Sequence, residues 1–156
     1  MNINTNNNND KDKGNKVLDG PFDGQSVEGT NVLKLDFDKL NKISKISNSV
    51  IPVAVQDAAT NEVILIAYTN KAAFEETVKH RKAIFWSTSR NELWFKGKES
   101  GNTFTINAIY VNCEQNSLVY KVTPDKGNIC HTSVNKVANN CFYRKLDLDM
   151  LELVFI

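Results

Sequence analysis

The sequence predicts an α+β domain dominated by β-structure, with short mixed strands forming a curved sheet or pseudo-barrel and one main helix. Three observations carry that expectation. About seven short apolar stretches alternate with period two or run β-branched, and polar turn residues separate them. Only residues 71–82 space their apolar side chains as an amphipathic helix does. No internal repeat runs along the chain, which argues against a stacked array.

The elements follow in order. Residues 1–30 read as a solvated tail and linker. MNINTNNNNDKDKGNK is Asn-rich with almost nothing to bury, and Gly20, Pro21, Gly24 and Gly29 follow it. The organised domain is expected over 31–156. It opens with Leu33, Leu35, Phe37 and Leu40, and 38–44 could form a short helix. IPVAVQD (51–57) and VILIAYT (63–69) are apolar strands joined by a five-residue turn, Ala58 to Glu62, the signature of a β-hairpin. Asn70 is a good N-cap for KAAFEETVKHRK, where Ala73, Phe74, Thr77 and Val78 share one face. His80, near the end of this helix, sits favourably against the macrodipole and carries no catalytic expectation.

Residues 83–88 and 91–95 are the next two strands. Residues 103–112 and 117–123 alternate apolar and polar side chains, as half-buried strands do. Thr123-Pro-Asp-Lys-Gly127 is a turn. Residues 141–146 and 150–156 close the domain as strands.

Composition narrows the functional classes. Of 156 residues, 41% are hydrophobic and 24% charged, with a net charge of +1, which disfavours a nucleic-acid binder with its clustered basic face. No apolar run approaches the roughly 18 residues a membrane helix needs. No secretory signal pattern opens the chain, so the expected compartment is the cytosol.

Two regions carry chemistry. In IFWSTSRNELWFKGKESGN (84–102), Arg90, Lys96 and Lys98 interleave with Phe85, Trp86, Trp94 and Phe95. Gly97 and Gly101 would let backbone N–H groups approach a phosphate. The alternative is a solvent-exposed hairpin with both tryptophans packed beneath it. The second region holds the three cysteines, Cys113, Cys130 and Cys141, spaced Cys-x16-Cys-x10-Cys. Three thiolates and one water would make a catalytic zinc site. The alternative is three reduced, half-buried thiols, since free cysteine packs as a small hydrophobe. His131 could be a fourth ligand, a base beside the metal, or a surface residue.

Taken together, IPVAVQD, VILIAYTN, FWSTSRNELWFKGKESGN, CHTS and CFYR closely resemble the phosphoribosyl-AMP cyclohydrolase family of histidine biosynthesis, over roughly residues 47–145. The segment LW-x-KG-x-x-SGN is its most specific motif. The resemblance implies an interlocked homodimer with an active site at each subunit interface. It implies hydrolytic opening of the adenine ring of phosphoribosyl-AMP at the N1–C6 bond. Zinc would be held by Cys113, Cys130 and Cys141, one of them from the partner subunit, with His131 moving protons beside it. Trp86, Ser87, Arg90, Trp94, Lys96, Gly97, Ser100, Gly101 and Asn102 would form the wall of a pocket for a phosphorylated nucleotide.

The family also places Mg2+ on an Asp-Cys-Asp-x-Asp run. Here that run reads Asn112-Cys113-Glu114-Gln115-Asn116, one carboxylate where the pattern has three. Weak or absent Mg2+ binding is therefore expected at Asn112, Glu114 and Asn116. Thr88 and Phe95 stand where basic or polar residues are common, and the loop HTSVNKVANN is longer than usual. These departures leave two alternatives. One is a non-catalytic, zinc-stapled dimer that binds a nucleotide or a partner protein. The other is a hydrolase for a different purine-like nucleotide.

Overall fold

The computed structural model describes residues 49–127, 129–130 and 140–156, the strand residues 133–134 and 137–138, and the isolated positions Leu33, Leu35, Ile43 and Lys45. The expected tail over 1–30, Phe37, Leu40 and His131 lie outside the described residues. So does most of the expected helix over 38–44. Ile43 is helical and buried.

Strand β1 spans Ile51–Asp57 and β2 spans Val63–Thr69, both as expected, and they pair antiparallel as a hairpin. The Asp57 carboxylate closes the hairpin by accepting from the N–H groups of Ala59 at 2.7 Å and Thr60 at 2.9 Å. Asn61 takes a left-handed φ of 63°, which asparagine tolerates well. Strand β5 spans Phe104–Val111 and β6 spans Leu118–Pro124. The four form one mixed sheet in the order β2-β1-β6-β5, with β1 and β6 parallel. The parallel ladder begins at Val53, one residue past Pro52, so the missing proline N–H costs β1 no bond to β6.

Alternation on β1 and β6 points Val53, Val55, Leu118, Tyr120 and Val122 to one face. A bulge in β2 leaves Ile64 unpaired opposite Val55 and Gln56, and its side chain is fully buried. Helix α1, Lys71–His80, covers this face with Ala73 and Thr77 fully buried, while Val78, assigned to the same face, stays exposed. Asn70 caps the helix by accepting from Ala73 N–H at 2.9 Å. The helix ends two residues earlier than expected because Arg81 adopts a left-handed φ of 56°. Lys82 then bridges to Thr105 and leads the chain into β3, Ile84–Ser87. The Thr77 hydroxyl donates to Ile84 C=O at 2.8 Å and fastens helix to strand.

β3 pairs antiparallel with β4, Glu92–Phe95, as a separate two-stranded sheet. It inserts Phe85 into the core against Tyr120, with ring centroids 5.9 Å apart. β2 and β5 are the outer strands of the main sheet, β5 continued by hydrogen bonds to residues 81–83, and among the described residues the strands form mixed sheets that do not close into a barrel.

Two short strands lie beyond the expected set: β7, Ser133–Val134, and β8, Val137–Ala138, pair as a small hairpin inside the long HTSVNKVANN loop. The closing strands β9, Arg144–Asp147, and β10, Glu152–Phe155, pair antiparallel. Expected to begin at Cys141, the first of these starts three residues later. Asn140 explains the difference: its side-chain oxygen accepts from Phe142 N–H at 2.6 Å and holds Cys141 in a turn.

Candidate active-site cleft

The β3–β4 hairpin and the loop after it build one wall of a cleft of 670 Å³. Strand pairing sets Phe85 opposite Trp94, their ring centroids 5.5 Å apart, so Trp94 is anchored on the core while it faces the cleft. Beyond β4 the chain folds back tightly. Gly101 N–H donates to Gly97 C=O at 2.7 Å, and Lys98 N–H donates to Phe95 C=O at 3.1 Å. Gly97 has φ +77°, and a Cβ there would lie 2.1 Å from the Asn102 carbonyl oxygen. Only glycine fits.

Arg90, Trp94, Lys96, Gly97, Ser100 and Asn102 all line this cleft. Of the other expected pocket residues, Trp86, Ser87 and Gly101 are not among its lining. Ser87 accepts from Arg90 N–H at 3.3 Å and so shapes the hairpin turn, while Gly101 packs against the Lys126 side chain. Lys98 and Glu99 also line the cleft and belong to the same KGKESGN run. Leu65 and Ile129 do so too, and no local motif marks them. They arrive through the packing of β2 and through the chain entering Cys130.

The opposite wall carries Cys130 and Cys141. Cys141 N–H donates to Ile64 C=O at 3.1 Å, tying this wall to the β2 edge. Lys96 joins the walls. Its ammonium lies 4.5 Å from the Phe104 ring centroid. Burial pulls its pKa below the ordinary lysine value, while the nearby Cys141 and Cys130 sulfurs push it back up. Arg90 pairs with Glu92 at 2.9 Å, and Lys98 lies 5.4 Å over the Phe95 ring. Cations and an aromatic face therefore meet two sulfurs in one concavity, which suits an anionic planar ligand.

Cys113 is elsewhere. It is exposed in the turn beyond β5, the opposite edge of the main sheet from β2. Three strand spacings separate those edges, about 14 Å. Two sulfurs sharing one zinc lie only about 4 Å apart. Consistent with this, no group of three or more His, Cys, Asp or Glu among the described residues could hold a metal ion. Asn112, Glu114 and Asn116 flank Cys113, hydrogen-bonded to one another and away from the cleft lining. Thr88 is buried and Phe95 lines the cleft.

The sequence model of phosphoribosyl-AMP cyclohydrolase matches residues 65–143. The phosphoribosyl-AMP cyclohydrolase of Cenarchaeum symbiosum (strain A) is 42% identical over 113 residues, 72% of this chain and 94% of that protein. Its counterpart from Nitrosopumilus maritimus (strain SCM1) is 43% identical over 112 residues, 72% of this chain and 93% of its own length. The Cupriavidus taiwanensis protein of the same name is 38% identical over 110 residues, 70% and 79% of the two chains.

Proposed function

Given that the chain belongs to the phosphoribosyl-AMP cyclohydrolase family, we propose that it hydrolyses phosphoribosyl-AMP in histidine biosynthesis, at a zinc site shared between two copies. One observation carries the reading. The basic and aromatic run 90–102 and two of the three cysteines line the same cleft.

The residues divide the work as follows. Trp94 offers a ring face to the purine, and Arg90, Lys96 and Lys98 offer charge to the phosphates. Cys130 and Cys141 provide two soft ligands suited to zinc. The third comes from Cys113 of the partner subunit, because a chain's own Cys113 lies too far away. The unit is thus an interlocked homodimer with a site at each interface. When bound, zinc supplies a water that ionises near neutral pH. The water oxygen bonds to C6, the N1–C6 bond breaks, and N1 ends with a proton. His131, next to Cys130 in sequence, is assigned to that proton transfer.

A mixed-dimer experiment tests the shared site. Cys113→Ala and Cys141→Ala proteins, each inactive alone, are co-expressed and purified with zinc. Half the dimers are hybrids with one intact site in two, so activity returns to about a quarter of wild type. No recovery from two folded, mixed dimers would overturn the shared site.

A second reading is favoured by the amides at 112 and 116: a zinc-stapled dimer that binds the nucleotide without turning it over. It predicts bound zinc and bound nucleotide but no absorbance change with phosphoribosyl-AMP.

A further inference from the structure

The turn that carries Cys113 is closed by its own side chains. Asn112 Oδ1 accepts from two backbone donors, Asn116 N–H and Ser117 N–H, each at 2.9 Å. Those two donors fix the amide's orientation, since its NH2 group could not face them. Asn112 Nδ2 then donates to Asn116 Oδ1 at 2.8 Å, which fixes the second amide in turn. Asn116 Nδ2 donates to Glu114 Oε2 at 2.9 Å. The backbone completes the turn with Asn112 N–H to Ser117 C=O at 3.2 Å and Gln115 N–H to Asn112 C=O at 3.0 Å.

This donor set does not fit the Mg2+ that the family pattern implies here. Mg2+ demands near-octahedral oxygen ligands at about 2.1 Å. The turn offers one carboxylate, and both lone pairs of Asn112 Oδ1 are already used. An ion drawing on Asn116 Oδ1 would have to displace the Asn112 N–H. One Glu114 oxygen, Oε2, already accepts from the Asn116 amide.

We infer that the Asn112–Asn116–Glu114 relay takes the place of a divalent cation and that Cys113 is presented without one. The inference rests on the proposed function only in assigning Cys113 to zinc. Its test is a binding measurement, which stands or fails apart from turnover.

Zinc-loaded wild-type protein and an Asn112→Asp/Asn116→Asp variant are titrated with Mn2+ by electron paramagnetic resonance. Thermal melting is followed with and without millimolar Mg2+. The expected result is no saturable Mn2+ site and no Mg2+-dependent melting shift in wild type. The variant gains at least about tenfold in Mn2+ affinity and a melting point that rises with Mg2+. Tight one-to-one Mn2+ binding by wild type would overturn the inference, as would a folded variant that gains nothing. Should the variant not fold, side-chain amide NMR of wild type decides. Asn112 and Asn116 NH2 signals unmoved by Mg2+ support the relay, and shifted signals refute it.

Discussion

Two turns in this molecule are built in opposite ways. Residues 97–102 fold back mainly on backbone bonds and on left-handed glycines, Gly97 and Gly101, with the Ser100 hydroxyl accepting from Asn102 N–H at 3.2 Å. Their lysine, glutamate, serine and asparagine residues line a cleft. Residues 112–116 close through side chains, with both asparagines and Glu114 bonded among themselves. Cys113 and Gln115 are exposed and take no part in this relay. A turn held mostly by its backbone leaves side chains to meet a ligand, whereas in a turn held by its side chains most polar groups are already engaged with one another. Under the proposed function, one chain would supply the nucleotide wall and two sulfurs and lend the third sulfur to its partner.

The harshest test of that contrast removes a sulfur from each side. Cys113→Ala and Cys130→Ala should each lower turnover by at least about 100-fold and release zinc, although the residues lie near opposite edges of the sheet. Turnover assays with metal analysis of each variant decide it. A Cys113→Ala protein with full zinc and full rate would leave Cys113 outside the site.

Next in size is the backbone turn. Gly97→Ala forces a left-handed alanine and drives its Cβ into the Asn102 carbonyl, 2.1 Å away. We expect about 2–3 kcal/mol of destabilisation and a collapse of the cleft wall. Gly127 is its control. It has φ +74°, but an alanine Cβ there would meet nothing within 4 Å, so Gly127→Ala should cost only about 1 kcal/mol. Equal melting points for the two variants would refute the steric account.

A smaller effect should appear where the glycine loop leaves the cleft. Thr103 and Thr105 hydroxyls and the Lys82 ammonium all donate to Asp125. Partial burial opposes the Asp125 charge, but these donors outweigh it and hold the carboxyl at about 2. A carboxyl lowered on folding contributes stability above its unfolded value, and that contribution is lost as pH falls toward 2. Asp125→Asn should lower stability at pH 7 by at most about 1 kcal/mol, since solvent screens the cluster. Its melting point should also fall less than wild type between pH 4 and pH 2, a difference that thermal melts across this range would reveal.

How legible was this in the sequence? The strands over 51–57 and 63–69 were, because β-branched alternation and a polar connection leave few alternatives. Asn70 was legible as a cap because the local chemistry suffices. Arg81 was not, because its left-handed turn comes from the need to lay Lys82 beside Thr105, a contact across the fold. Cys141 looked like the start of a strand, and the Asn140 side chain made it a turn. In the cleft, the KGKESGN run announced itself by composition, whereas Leu65 is marked by no motif and reaches the site only through tertiary packing. The amides at 112 and 116 were visible as departures from a family pattern. That they bond one another was not, because the orientation of each depends on backbone donors that exist only once the turn has formed.

The smallest effect belongs to the core, and it bears on the same contrast. Tyr120 is fully buried and stacks on Phe85, yet its hydroxyl has no hydrogen-bond partner among the described residues. The Thr69 and Thr77 hydroxyls lie close enough to influence it, and burial dominates, raising its pKa above the ordinary tyrosine value. Neither threonine offers it a proton, because Thr69 donates to Asn70 C=O and Thr77 donates to Ile84 C=O. Removing a buried, unanswered polar group relieves its desolvation cost and sacrifices no bond. Tyr120→Phe should therefore leave the melting point unchanged or raise stability by up to about 1 kcal/mol. A loss of more than about 1 kcal/mol in a thermal melt would show that the hydroxyl is bonded after all. With the expected result, the Tyr120 hydroxyl adds nothing to a core held by its packing and by the Thr77–Ile84 bonds. Side-chain polar bonds are then concentrated where they shape the fold's connections: at Thr77 between helix and strand, and in the turn that carries Cys113.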